Sequence, residues 1–366
     1  MIDNTKLLKQ LMAANGIAVQ DSELLHESPL ALPASFGFEK IEGMLLGLAV
    51  GDSLGYTTEG QLPSERLKHF GEILDYLRER HADFRAVGAP SDDTQMTFWT
   101  LKQLIEDKGL VPDNLAKRFC QQHIFGIGNT VREFIQNYKD RKVSWQKAGP
   151  TSAGNGALMR ICPVLIPYLK DPTPSLWADT ALAGMVTHND RASTASCVAF
   201  VSMLWSLLGM ESTPKPGWWL ETFCSIAQQL EGDTHYRPRY SGATYEGPLW
   251  KFTNEVVSDA LDKNLTALEA CNLWHSGAYL LETVPSVLYI LEKHGSNAEE
   301  AIIRAVNDTK DNDSIAAIVG AAVGALHGLG CIPERWLKGL LGRTSSNDDG
   351  RVFKLILEAK RVFWNT

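Results

Sequence analysis

Ser91-Asp92-Asp93-Thr94 and Asp311-Asn312-Asp313-Ser314 lie about 220 residues apart, and each stands just before an apolar run with helical spacing. Each offers two carboxylates and a hydroxyl at the mouth of a helix. Taken singly, such a cluster caps exposed N–H groups and complements the helix dipole. Taken together, four carboxylates and two hydroxyls form an oxygen-rich set suited to hard divalent cations. Two such cations side by side could orient water at a polyhydroxylated or phosphorylated substrate. A calcium loop of the EF-hand type is excluded at the second cluster, because Ala316 stands at its sixth position and Ala322 at its twelfth.

Other short motifs are weaker. Gly51-Asp52-Ser53-Leu54-Gly55 matches the nucleophile elbow of serine hydrolases. That motif needs a strand before it, whereas residues 41–50 carry a helical pattern. Gly149-Pro-Thr-Ser-Ala-Gly154 has Asn155 where a phosphate loop has lysine, and Gly126-Ile-Gly128 lacks a third glycine. The small residues of Thr151-Ser152-Ala-Gly154-Asn155-Gly156-Ala157 still expose backbone N–H groups that could cradle an anion. His188 and Glu59 are isolated, and alone each has an ordinary structural reading.

The elements that would position these residues are helical. Apolar periodicity predicts helices over 41–55, 64–79, 94–107, 112–123, 130–138, 175–187, 191–208, 217–230, 253–262, 266–272, 278–293, 297–306, 314–328 and 350–362, with strand signals nearly absent. Long loops are expected at 143–157 and 231–249. The fold class is all-α. Gly43, Gly47, Gly51 and Gly55 recur every fourth residue, as do Gly320, Gly324 and Gly328. Each interior glycine costs about 1 kcal/mol relative to alanine. Two helices that keep such stripes are expected to pack closely, which would bring Asp52 towards the Asp311 cluster.

At 366 residues, with 44% hydrophobic and 21% charged residues, the chain can bury a large core. Its net charge of −8 argues against a nucleic-acid-binding surface. Six scattered cysteines read as reduced thiols, and the longest uncharged stretch, 315–329, is short of a membrane span. A cytoplasmic protein without a membrane or nucleic-acid partner is expected. Two parts are expected: an N-terminal extension over 1–38, a short helix plus linker, and a main domain over 39–366.

In order along the chain, the stretch from Gly43 to Gly55 with Glu59, then Ser91 to Met96, Gly154 to Arg160, Thr187-His188, and Asp311 to Ser314 resemble the ADP-ribosylglycohydrolase family. The resemblance spans about residues 39–330. It implies a multi-helix bundle around a cleft holding two Mg²⁺ ions, with Mn²⁺ as a substitute. By that resemblance, Ser91, Asp92, Asp93, Asp311, Asp313 and Ser314 would ligate metal, and Glu59 and Asp93 would be the catalytic carboxylates. Asp52, Asn129, Ser152, Gly154, Asn155, Gly156 and His188 would serve the substrate, with Asp52 supporting from behind. Trp145 and Tyr236 are candidates for stacking on adenine. Serine stands at 91 and 314 where threonine is usual, and both hydroxyls can ligate metal. Asn129 stands where some arginine-directed members carry aspartate, while the surroundings of Glu59 resemble the arginine-directed branch.

The implied activity is removal of ADP-ribose from modified protein side chains, arginine first. Some members act as immunity proteins, so residues 1–38 could be a docking arm for an ADP-ribosyltransferase. Two alternatives remain open at this stage: a non-catalytic ADP-ribose-binding or transferase-binding protein, and a hydrolase of a serine-linked or O-acetyl ADP-ribose derivative.

Overall fold

The computed structural model describes residues 3–365 except Ser241, with His81 described by its backbone alone. Among these residues seventeen α-helices form: α1 (Asn4–Ala13), α2 (Glu39–Gly55), α3 (Pro63–Phe70), α4 (Asp92–Asp107), α5 (Pro112–Phe119), α6 (Asn129–Ile135), α7 (Trp145–Ala148), α8 (Ser175–Met185), α9 (Arg191–Gly209), α10 (Trp218–Glu231), α11 (Leu249–Asp262), α12 (Ala267–Leu273), α13 (Leu280–His294), α14 (Ala298–Asp308), α15 (Asn312–His327), α16 (Glu334–Gly339) and α17 (Arg351–Phe363). The all-α expectation holds. One two-stranded antiparallel hairpin, β1 (Arg78–Glu79) with β2 (Arg85–Ala86), is the exception among the described residues.

The glycine stripes explain the centre of the molecule. A Cβ at Gly43 would stand 2.6 Å from the Gly324 carbonyl oxygen, one at Gly47 2.3 Å from that of Gly320, and one at Gly51 2.1 Å from that of Ala316. The pairing descends α15 as it ascends α2, so the two helices are antiparallel with backbones in contact. No residue larger than glycine fits at these crossings. At the end of the seam, Gly55 lies against the backbone of Asp313. The C-terminus of α2 and the N-terminus of α15 therefore meet, as the glycine spacing anticipated. Helices α9, α13 and α14 pack around α15. Helix α9 is the one described helix long and apolar enough to span a membrane, and 83% of that window is buried inside the protein, as a core helix is.

The helix expected over 64–79 stops at Phe70. Gly71 takes a φ of 70°, and the backbone beyond it turns to a tertiary partner: the Ile73 N–H donates to Asn307 Oδ1, and Asn307 Nδ2 donates to the Ile73 carbonyl. A left-handed glycine commonly ends a helix, and the apolar periodicity of 73–77 serves packing instead. Between 158 and 174, where the periodicity predicts no element, two 3₁₀ turns form: Leu158–Arg160 and, carrying Pro163 and Pro167, Cys162–Tyr168.

Residues 3–38 lie along the body. Asn4 Nδ2 donates to the Leu110 carbonyl (2.9 Å) and to Asp179 Oδ1 (2.6 Å). The indole N–H groups of Trp177 and Trp205 donate to the carbonyls of Glu27 and Leu30. Leu8, Leu11, Ile17, Val19, Leu25, Phe36 and Phe38 join the same buried core as α2 and α15.

Candidate active site

The last turn of α2 and the first turns of α4 and α15 converge. Asp52, fully buried, accepts from the Ser91 N–H, the Thr94 N–H (3.0 Å) and the Thr94 hydroxyl (2.5 Å). It is thereby a cap for α4 supplied by another helix, and it holds the Ser91–Thr94 turn in place. Ser91 is the N-cap itself, and its hydroxyl donates to Asp93 Oδ2 at 3.0 Å. Ser314 Oγ donates to the same oxygen at 3.4 Å. Asp93 therefore joins the two acidic clusters, while its Oδ1 is buried with no partner.

Asp313 is the hinge of the arrangement. Its carboxylate lies within 4.8 Å of those of Asp52 and Asp93 on one side, and within 4.8 Å of those of Glu59 and Asp311 on the other. Two adjacent groups of three oxygen ligands sharing one carboxylate suit a pair of hard cations. Asp92 is in neither of these two groups; its Oδ1 lies near Gly126, 3.3 Å from where a Cβ on that residue would stand, while the charges of Asp52, Glu59 and Asp311 still act on its carboxylate.

The electrostatics agree with a cation site. Burial first, then the neighbouring carboxylates, push Asp92, Asp93 and Asp313 well above the ordinary aspartate range. Burial raises Asp311 to about 6, opposed mainly by its hydrogen bond from Asn155. Burial together with the charges of Asp311 and Asp52 raises Glu59 to about 7. So many carboxylates in one buried place repel one another unless protons or cations intervene. The unpartnered Asp93 Oδ1 and the all-oxygen donor set fit divalent cations.

The 151–157 loop is bound to this centre by Asn155, which is 5% exposed. Its side-chain amide donates to Asp311 Oδ2 (2.6 Å) and Thr283 Oγ1 (3.1 Å), and its backbone N–H donates to the Ala278 carbonyl (3.0 Å). Asn155 thus braces the Asp311 carboxylate, a use the sequence did not reveal. Gly154 pairs with Tyr279 across a short bridge. Ser152 Oγ accepts from the Gly154 N–H and shares a hydrogen bond with the Thr130 hydroxyl. Gly156 faces the His188 ring, where a Cβ would stand 2.9 Å from Cε1. Asn129 is exposed and opens α6, its oxygen accepting from Arg132. Trp145, half-buried, opens α7. Tyr236 has its hydroxyl occupied, donating to Asp190 and accepting from the Ala192 N–H at the cap of α9. Ser53 is buried, and its hydroxyl has no partner that would activate it.

Two anchoring residues escaped the sequence reading. Arg66, 1% exposed, donates to the carbonyls of Val306, Asn307 and Thr309 and to that of Gln61, tying the Glu59 loop to the chain entering Asp311. Asn312 Nδ2 donates to the Gly55 carbonyl and the Thr58 hydroxyl, closing the same junction from the α15 side. Nothing local marks either one: apart from the Arg66 bond to Gln61 and one from Asn312 Nδ2 to the Val306 carbonyl, both act on partners more than 230 residues away. Beside Glu59 opens a cavity of about 490 Å³, walled by Tyr56, Thr57, Glu79, Phe84 and Gly126, with Arg78 and Arg80 at its side.

Residues 34–361 match the ADP-ribosylglycohydrolase family profile. The chain belongs to this family. As a member it is a hydrolase of glycosidic bonds to ADP-ribose. It is 31% identical over 312 residues to an uncharacterised protein of Archaeoglobus fulgidus, covering 83% of this chain and 92% of that one. It is 27% identical to the ADP-ribosylarginine hydrolase Tri1 of Serratia proteamaculans, covering 87% and 80% of the two chains. A solved structure titled ADP-ribosylglycohydrolase-related protein complex superposes with a TM-score of 0.64 at 23% identity, covering 89% of this chain and 98% of that one, and shares the fold.

Proposed function

We propose that the chain is a Mg²⁺-dependent hydrolase that removes ADP-ribose from modified arginine side chains and so reverses mono-ADP-ribosylation in the cytoplasm. The observation that carries this reading is the double carboxylate group centred on Asp313, with the titratable Glu59 at its open edge. Relatives named ADP-ribosylarginine hydrolase support the arginine linkage.

Asp92, Asp93, Asp311 and Asp313, with the hydroxyls of Ser91 and Ser314, would hold two Mg²⁺ ions, and Mn²⁺ would suit the same oxygens. The bound cations would supply an electrophilic grip on the ribose hydroxyls and on a water. Asp52 keeps the α4 turn in register, and Asn155 fixes Asp311. Hydrolysis breaks the bond between ribose C1″ and the arginine nitrogen and forms one from C1″ to the water oxygen. Glu59, raised to about 7, is suited to take the water's proton and return one to the departing nitrogen near neutral pH. The cavity of about 490 Å³ beside Glu59 would receive the modified side chain. The biological use we propose is immunity against an ADP-ribosyltransferase, with the outer face of residues 1–38 as its docking surface.

The test is release of ADP-ribose from an arginine-modified protein with Mg²⁺, then with EDTA, and from a serine-modified protein in parallel. Release from the arginine substrate that EDTA abolishes is expected. Release from the serine substrate alone would overturn the linkage, and release unaffected by EDTA would overturn the metal chemistry. Substituting the exposed residues of α1 without loss of transferase binding would remove the docking surface from the proposal.

A further inference from the structure

His188 sits between α8 and α9 with 2% of its surface exposed, its ring edge over the Gly154–Gly156 loop. Behind it, Arg160 Nη2 donates to Thr187 Oγ1 at 2.7 Å, and Thr187 Oγ1 lies 2.9 Å from His188 Nδ1. All three residues are buried. A guanidinium can only donate, so one lone pair of the Thr187 hydroxyl is spent on Arg160. The hydroxyl proton then needs an acceptor. Nδ1 is the one in reach, and it can accept only if it carries no proton. The opposite tautomer would leave the Thr187 hydroxyl accepting twice and its own proton stranded in a dry site, a costly arrangement.

On the other side of the ring, no described group accepts from Nε2. A Cβ at Gly156 would stand 3.2 Å from this nitrogen, and one at Gly154 3.6 Å. The two glycines therefore leave open the space that Nε2 faces. We propose that Thr187, held by Arg160, is a positioning residue that fixes His188 as the Nε2–H tautomer, so that the ring presents a permanent neutral donor to an oxygen of the bound ADP-ribosyl group. The ligand half of this inference rests on the function proposed above. The tautomer half stands on the hydrogen bonds alone. Burial, then the charge of Arg160, hold the imidazole down to about 3, which agrees with a ring that stays neutral through the physiological range.

The test combines ring ¹⁵N NMR of His188 with calorimetric binding of ADP-ribose, in the full chain and in T187V and T187S. The expected result for the unaltered chain is a protonated Nε2 and a hydrogen-bonded, unprotonated Nδ1 between pH 5 and 8. T187S should keep both that signature and the affinity. T187V should lose the Nδ1 hydrogen-bond signature and bind ADP-ribose roughly 2- to 10-fold more weakly, the effect of one neutral hydrogen bond. A protonated Nδ1 in the unaltered chain overturns the inference. So does T187V that weakens binding while the ring resonances stay put, because Thr187 would then be a packing residue. If the unaltered chain fails to bind ADP-ribose, the ligand half falls with the proposed function, and the NMR result still decides the tautomer.

Discussion

Gly55→Ala tests the claim that backbone contact between α2 and α15 sets the active site. A Cβ at position 55 would stand 2.5 Å from both Cα and N of Asp313, about 0.9 Å inside the 3.4 Å at which ordinary van der Waals contact begins. The obstructing atoms are backbone, so no side chain can swing aside. Overpacking of this kind costs about 1–3 kcal/mol, offset by about 1 kcal/mol from replacing a helical glycine. The net is about 2 kcal/mol at most. For a 366-residue chain, at about 2.1 cal/mol/K per residue, that lowers Tm by only about 3 °C. The functional effect should be far larger. Metal-ligand distances tolerate about 0.2 Å, and Asp313, which serves both carboxylate groups, would be displaced several times further. Turnover should fall by about 10²-fold or more, with weakened Mg²⁺ binding. The assay is Mg²⁺ titration by calorimetry, ADP-ribose release and thermal melting, with Gly330→Ala as control because nothing lies within 4 Å of its Cβ position. G55A that binds Mg²⁺ and turns over like the unaltered chain would refute the idea that this contact aligns the site.

Asp52→Asn should destabilise by about 1–3 kcal/mol in urea unfolding and weaken cation binding: with the amide oxygen in the Oδ2 place, which accepts from Ser91 and twice from Thr94, the new NH₂ faces the Ser91 N–H, and a negative charge is lost beside Asp93 and Asp313. The metal-free protein should lose stability as pH rises. Glu59 and Asp311 are raised to about 7 and about 6 in the folded state, so they take up protons on folding. Their contribution is complete below the ordinary carboxylate range and is lost as pH rises through 6 and 7. Melting curves in EDTA should therefore fall between pH 5 and 8, and the increase in Tm on adding Mg²⁺ should be larger at pH 8 than at pH 5. Asn4→Ala should cost about 1–3 kcal/mol and loosen α1, since it strips hydrogen bonds from Asp179 and the Leu110 carbonyl; faster proteolysis between residues 14 and 35 is the readout.

What the sequence revealed depended on the range of the signal. Helix identity and the acidic caps are local, and the glycine stripes are periodic, so all three could be read from one chain. The stripes also implied a long-range fact, that the ends of α2 and α15 meet, because repeated interior glycine has few other physical uses. Single residues that act across the fold left no such mark. The stripes point Asp52 towards the Asp311 cluster, but its hydrogen bonds from Ser91 and Thr94, 39 and 42 positions away, carry no local mark. Asn155 reads as part of an anion loop until Asp311 arrives, and Arg66 reads as a surface helix residue until three carbonyls close on it. The hairpin at 78–86 was missed because the apolar spacing of 64–77 mimics a continuing helix, and only Asn307 shows why the backbone leaves it.

The same distinction bears on the N-terminal segment. As a sequence it is a short helix and a polar linker, separable from the rest. In the fold it reaches the backbone beside His188: Asn189 accepts from the Ala18 N–H at 2.8 Å and donates to the Gly16 carbonyl at 3.0 Å. The Asn189 N–H donates in turn to Pro150, at the start of the loop that carries Gly154 and Asn155. A segment bonded on both sides of one asparagine restrains the backbone that His188 hangs from. Its removal should therefore alter ADP-ribose affinity as well as stability, whereas an arm used only to dock a partner would leave affinity untouched. Comparing ADP-ribose binding in Asn189→Ala and in a chain lacking residues 1–19 separates these outcomes: matched losses in both assign the effect to the Asn189 contact, and unchanged affinity in both leaves the segment a purely external role.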